Sequence, residues 1–327
     1  MDAALRIEVR APDELAGAWQ RLWSGVPDAT PFMSPAWLLP WARVYAPERC
    51  WIATVTGAAG DLLGCLPMFW WQRRLLLAGT GPSDHGDALF LPGFERWAGP
   101  MLEALLAAID RPIDCIELHQ LPASSSMLTL SPPRGWEDEV EPGETCPVLT
   151  LGGEDGMAHV REAARANWRY VNRRLARAGA RVERVPDEEV DDAMNALERL
   201  HAQRWARRGE SGVLVDPLLR RLLRDAAPEL ARAGLLRLHR VRRQGETVGV
   251  LMAMHGARRT CCFLSGFDPA IAPLGPGVAL VGATIVAAAH EGDLAVDFLR
   301  GREPYKYEWS AVDEARHRRV FTPCRPA

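Results

Sequence analysis

LSGFDPAIAPLGPGVALVGATIVAAAHEGDLAVDFLRGREPYKYEW, residues 264–309, is the stretch on which the fold turns. It leaves an apolar strand-like run over 260–267 and passes through a loop rich in proline and glycine. It then enters an apolar helix over 277–290, a strand over 295–299, a glycine turn and a short helix-like segment with Tyr305, Lys306, Tyr307 and Trp309. Gly275 and Gly277 let the backbone come close to a ligand. The helix that follows offers unpaired N–H groups and the positive end of its dipole, which suits a pyrophosphate. The same loop also reads as a plain strand–helix connection. Neither a Walker A loop nor GxGxxG occurs in the chain. Lys306 is the only lysine beside 38 arginines. An ammonium and a guanidinium are not interchangeable at a tight or titrating site, so it marks either such a site or a neutral survivor on an arginine-rich surface.

Outward from this stretch, 235–241, 247–255 and 260–267 read as a strand meander joined by short polar turns. Ahead of it lies a basic helix beginning at Arg161, with eight arginines and two glutamates between Arg161 and Arg184. Ala164, Trp168, Val171, Leu175 and Ala178 share one of its faces and are expected to pack inward. The other face has three readings: a solvated surface, a wall of a ligand cleft, or a nucleic-acid surface. Gly179 ends this helix, a strand follows over 180–185, and further helices run from Asp187 to about Arg208 and from Asp216-Pro217. In the first half, strands are expected at 6–10, 51–56, 62–71, 75–78 and 113–118, with helices at 12–23, after Ser34 and at 97–109. The polar stretch 131–144 is the expected linker, 147–151 the strand beyond it, and 317–322 the last strand of the second half. The fold class is therefore α/β (α+β): two domains, 1–145 and 146–327, each a mixed, mostly antiparallel sheet flanked by helices.

Residues 1–150 carry 10 arginines against 19 acids, and 151–327 carry 29 basic residues against 23 acids, so the halves stand at −9 and +6. The second half is the better host for an anion. Seven scattered cysteines without paired spacing predict reduced thiols in a cytoplasmic protein, with neither a disulfide framework nor a zinc site. No run approaches a membrane span and the first residues lack a secretory signal.

The succession SGFDP, glycine-rich helix start, DFLRG and YKYEW resembles the GNAT-like acyltransferases of the CelD type, which are related in fold to FemABX aminoacyltransferases. PFMSPAWLLPW, GTGPSDHGD, ELHQLP, ANWRYVNRRLARAG and LERLHAQRWARRG extend the resemblance over most of the chain. The resemblance implies two GNAT-like domains in tandem, with acetyl-CoA or another acyl-CoA held by the second. Carried onto these residues, the strand with Leu264, Ser265, Gly266 and Phe267 would face the pantetheine arm. Gly275, Gly277, Val278 and Ala279 would hold the pyrophosphate. Lys306, with Tyr305 beside it, falls where FemABX-like enzymes place a lysine facing substrate, although this chain has Tyr-Lys-Tyr in place of Phe-Lys.

The reaction so implied is N-acylation, moving an acyl group from coenzyme A to an amine on a small molecule, sugar or lipid precursor by direct aminolysis of a thioester. It needs a base and donors for the developing oxyanion. Backbone N–H groups of 264–267 are candidate donors, and Asp297, Glu303, Asp84 and His85 candidate bases. Asp297 lies in an apolar strand, where burial would raise its pKa; it could equally cap a turn or pair with an arginine such as Arg300. Asp84 and His85 either line an amine pocket, together with Trp205, or sit in a plain solvated loop. No metal is expected. Two rivals stand beside this reading: an aminoacyltransferase using aminoacyl-tRNA, which the net charge of −3 disfavours, and a non-catalytic scaffold of polysaccharide or envelope assembly.

Overall fold

The computed structural model describes residues 5–207 and 209–324; the helix end expected at Arg208 falls outside them. The chain divides into two compact units. The first contains β1 (Arg6–Arg10), α1 (Ala16–Gly25), α2 (Pro35–Tyr45), β2 (Cys50–Thr56), β3 (Leu62–Trp71), β4 (Arg74–Leu77), β5 (Leu89–Phe90), α3 (Ala98–Ala108), β6 (Cys115–Pro122) and β7 (Trp136–Pro142). Ser34 caps α2 through its hydroxyl, which accepts the Trp37 N–H, and Pro35 sits at the first turn where a missing N–H costs nothing. Trp19, Trp37, Trp41 and Phe32 fill the space beneath the helices.

The stretch expected to be a linker is in part a strand. Trp136–Pro142 pairs along the last strand of the chain, Arg316–Pro323, in the first unit's sheet. Its acids are matched by arginines from that distant strand: Asp138 accepts Arg319 Nε at 2.8 Å and Glu141 accepts Arg318 Nη1 at 2.6 Å. A sequence window sees only uncompensated glutamates and a turn-rich composition. For the same reason the last strand, expected in the second domain, lies in the first unit.

The second unit contains β8 (Cys146–Thr150), α4 (Glu162–Arg177), β9 (Ala180–Arg184), α5 (Val190–Ala206), α6 (Pro217–Arg232), β10 (Leu236–Arg243), β11 (Glu246–Gly256), β12 (Arg259–Phe267), α7 (Pro276–His290), β13 (Ala295–Asp297), α8 (Pro304–Glu308) and β14 (Val312–Glu314). The returning strand Arg316–Pro323 is β15. The first sheet runs β1-β2-β3-β4-β6-β15-β7, with β5 beside β3, and the second β14-β8-β13-β12-β11-β10-β9. Among the described residues the strand pairings are antiparallel except β4 with β6 and β12 with β13. Val171 and Leu175 bury the inner stripe of α4, with Ala164 and Trp168 packed at its edge. All seven cysteines are free thiols, and no helix among the described residues is long and apolar enough to cross a membrane.

Two buried imidazoles tie the second unit's stability to pH. Burial, with Arg204 nearby, pushes His201 down to about 4. Burial, with Arg184 nearby, does the same to His239, whose Nδ1 meets Thr284 Oγ1 at 3.1 Å. Unfolding lets both take up protons at their ordinary value of 6.5. The stabilising contribution is therefore complete above that value and lost as pH falls towards about 4. The urea midpoint is expected to drop between about pH 7.5 and about pH 5; an unchanged midpoint would contradict this.

Candidate functional site

Parallel pairing of β12 with β13 is confined to Arg259–Cys261 against Ala295–Asp297. Beyond Cys261 the two strands part, so the edge of β12 facing β13 is left open. On its other side β12 carries a bulge: Met252 faces Leu264 and Ala253 faces Cys262, leaving Phe263 as the extra residue. The parted strands form one side of a cleft of about 340 Å³. Cys262, Phe263, Leu264, Ser265 and Phe267 line it from β12, and Phe298 from beyond β13.

The start of α7 lines the cleft as well. Gly275 takes the left-handed conformation, φ 78° and ψ 42°, and Pro276 opens the helix. Helix geometry leaves the N–H groups of Gly277 and Val278 without an intrahelical acceptor, and both residues line the cleft. A Cβ at Gly275 would stand 3.0 Å from Val171 and 3.2 Å from Arg174 Nη2, so a guanidinium lies beside this turn. That guanidinium also rests 5.3 Å from the Tyr170 ring. The start of α4 borders a smaller groove of about 220 Å³, where Arg161, Ala164 and Asn167 meet Val278, Glu308 and Trp309. This part of the basic helix is thus a wall of the groove, and Glu162 engages Arg165 and Arg169 on its surface.

Tyr305, Glu308 and Trp309 around α8 also line the cleft, with Arg204 from α5. Arg204 donates to Ser265 Oγ at 3.2 Å and lies 4.7 Å from the Phe267 ring. Tyr305 is 45% exposed as a whole residue, yet desolvation of its phenol first, then the neighbouring Cys262 and Glu303, raises that group above its ordinary value. The Cys262 thiol is pushed up to about 12 by burial and by the charge of Asp297. It therefore stays protonated at neutral pH and is a poor nucleophile.

Of the residues singled out in the sequence, Leu264, Ser265, Phe267, Gly275, Gly277, Val278 and Tyr305 meet at this cleft. Gly266 serves packing: a Cβ there would stand 2.4 Å from His201 N, because α5 crosses directly over it. Ala279 is in the core. Lys306 is 3% exposed, and its Nζ donates to the carbonyls of Leu299, Arg300 and Gly301 and pairs with Glu303 at 2.9 Å. Asp297 is wholly buried, accepts the Leu299 N–H at 2.7 Å and pairs with Arg259 at 3.0 Å.

Asp84 and His85 belong to the first unit, where both are buried, so the solvated-loop alternative is corrected. His85 stacks on Phe32 at 5.6 Å, and burial, against hydrogen bonds from Ser125 and Ala88, lifts Asp87 to about 7. Trp205 lies 5.9 Å from the His201 ring; the α5 residue lining the cleft is its neighbour Arg204. Arg204 and Glu308 were not singled out by the sequence reading. Glu308 had a usable signal, since it follows Tyr305 by three and so shares its helix face.

Residues 162–307 match the model of a protein family described as an acetyltransferase (GNAT) domain. That match is coarser than the CelD-type resemblance drawn from the motifs. No protein of the curated set matches the chain. Among solved structures, FemX is 10% identical with a TM-score of 0.63, the match covering 96% of each chain. L-PGS from Bacillus licheniformis is 13% identical with a TM-score of 0.61, covering 98% of this chain and 94% of the other. A tandem GNAT protein from the clavulanic acid biosynthesis pathway is 14% identical with a TM-score of 0.51, covering 99% and 100%. At such identities the likeness is one of fold. The chain has the tandem GNAT-like fold, and its segment 162–307 matches the acetyltransferase (GNAT) domain family.

Proposed function

We propose that the second unit is an acyl-CoA-dependent N-acyltransferase that transfers an acyl group, acetyl in the simplest case, directly to an amine of a small molecule, sugar or lipid precursor. The observation that carries this reading is the open edge of β12 beyond Cys261, in a cleft that the N-terminus of α7 and Tyr305 also line. An extended amide-bearing arm can add to such an edge as a further strand does. The left-handed Gly275 and the free N–H groups of Gly277 and Val278 fit a pyrophosphate, with Arg174 beside them. Arg161 and Asn167, in the neighbouring groove, supply polar groups for the nucleotide end.

The residues around α8 suit aminolysis. The attacking amine must lose a proton, for which Glu308 offers a carboxylate at the cleft wall. As the C–N bond forms and the C–S bond breaks, the departing sulfur requires a proton, which the Tyr305 phenol supplies. The proton taken up by Glu308 then restores the phenol, so one proton leaves the amine, one reaches the sulfur, and the amide keeps its N–H. Backbone N–H groups on the open edge of β12 face the developing oxyanion. The high pKa of Cys262 speaks for direct transfer over an acyl-cysteine route.

Thermal shift with CoA and acetyl-CoA tests the coenzyme. At about 100 times the dissociation constant the stabilisation is about 2.7 kcal/mol, a shift of several degrees. Absence of any shift with either compound would overturn the reading. Cys262→Ala is expected to retain amine acylation, without a burst of acyl-enzyme; loss of transfer with coenzyme binding intact would restore the acyl-cysteine route.

A further inference from the structure

Leu299, directly beyond β13, is held at φ 61°, in the left-handed region that a branched, buried side chain avoids. Such strain persists only where the surroundings over-determine it. Here both sides of the residue are gripped. Its N–H is accepted by Asp297 Oδ1 at 2.7 Å, and its carbonyl accepts Lys306 Nζ at 3.0 Å. The same ammonium reaches Arg300 O at 2.6 Å and Gly301 O at 3.1 Å, so its donors converge on three successive carbonyls, with the Glu303 carboxylate closing the cage at 2.9 Å. Asp297 is fixed in turn by Arg259, which also binds Glu314. A planar guanidinium presents its donors as a fork and cannot converge on three oxygens in this way.

The turn so held lies where β13 leaves β12. It is flanked by Phe298 and followed by Tyr305, whose rings meet edge-on at 6.4 Å and line the cleft. We infer that Lys306 and Asp297 are positioning residues: together they clamp Leu299 in the left-handed conformation, and that turn sets the opening of the cleft and the placement of Tyr305. The sole lysine is present because an ammonium alone fits a cage of three carbonyls. The inference rests on the coenzyme reading only in using CoA as its binding probe.

The test is a cycle on the full chain, read by calorimetric titration with CoA. Lys306→Met is expected to weaken CoA binding at least tenfold. Leu299→Gly and Leu299→Ala both remove the side chain, but only glycine adopts the left-handed turn without cost. With Lys306 present, the clamp imposes the turn on both, and their CoA affinities are expected to agree within threefold. Combined with Lys306→Met, the glycine variant is expected to bind at least tenfold more tightly than the alanine variant. Wild-type affinity in Lys306→Met, or an equal glycine-to-alanine ratio in both backgrounds, would overturn the clamp. Should Lys306→Met fail to fold, Lys306→Arg keeps the charge but loses the convergence, and wild-type CoA binding by it would likewise overturn the inference. Should the wild-type chain not bind CoA, the coenzyme reading falls while the clamp is still read by amide hydrogen exchange over 296–303. Lys306→Met or Lys306→Arg must speed that exchange at least tenfold, and unchanged exchange would refute the clamp.

Discussion

Replacing Tyr305 by phenylalanine is expected to lower kcat about 100-fold while leaving CoA binding unchanged, the size of effect typical for loss of a positioned proton donor. The phenyl ring keeps the edge-on contact with Phe298 and the apolar wall of the cleft, so only the hydroxyl is removed. The phenol is raised by burial, with Cys262 and Glu303 adding to the effect. It is therefore protonated throughout the neutral range and remains a donor to higher pH than an ordinary tyrosine. On the alkaline side the wild-type profile should consequently lose activity above about 10, the ordinary phenol value, and the phenylalanine variant should lack that limb. Thiol release from acetyl-CoA, measured with the most active amine from a panel of amino sugars, polyamines and amino acids, supplies both readings. Equal kcat values would remove Tyr305 from the chemistry.

The largest effect on stability is expected from Gly266→Ala. The added Cβ would stand 2.4 Å from His201 N and 2.8 Å from Leu200 C, both backbone atoms of α5 that cannot rotate aside. The helix has to lift from β12, at about 3 kcal/mol, the upper end for overpacking. Because Arg204 rides on the same helix, Arg204 would shift with it. Gly277→Ala is the control: its Cβ would meet only Phe267, at 3.8 Å, an ordinary contact. Urea titration should separate the two, with the midpoint of Gly277→Ala equal to wild type or slightly higher. Equal midpoints for both variants would mean that α5 does not press on β12 as described.

Much of the second unit is legible in the sequence because its signals are local. Gly179 ends α4 at φ 70°, and Asp216 caps α6 by accepting the Leu218 N–H. The Gly275-Pro276-Gly277 start of α7 likewise depends on residues adjacent in the chain. What escaped reading depends on partners far away. The acidic residues of β7 look like linker composition until Arg318 and Arg319 are brought beside Glu141 and Asp138. The bulge at Phe263 has no residue type of its own, since it is a mismatch of register between β11 and β12. Lys306 stood out by composition, yet composition could not tell an ammonium facing a ligand from one enclosed by carbonyls. Asp297 was expected to titrate, to cap a turn or to pair with an arginine such as Arg300; it caps at Leu299, and Arg259 on the neighbouring strand β12 pairs with it.

The place of β15 bears on how the polypeptide is made. In the first sheet it lies between β6 and β7, so both of those strands depend on a segment that leaves the ribosome only after the whole second unit has been translated. Domains generally fold as units during synthesis, N-terminal first. Here that order is inverted for completion: the second unit has all its strands while the first still lacks an interior one. Until β15 arrives, β6 presents an unpaired edge, the kind of template on which foreign strands dock. Nascent chains stalled before Arg316 should therefore be the aggregation-prone species, and a cut after Glu144 would release a fragment without its interior strand.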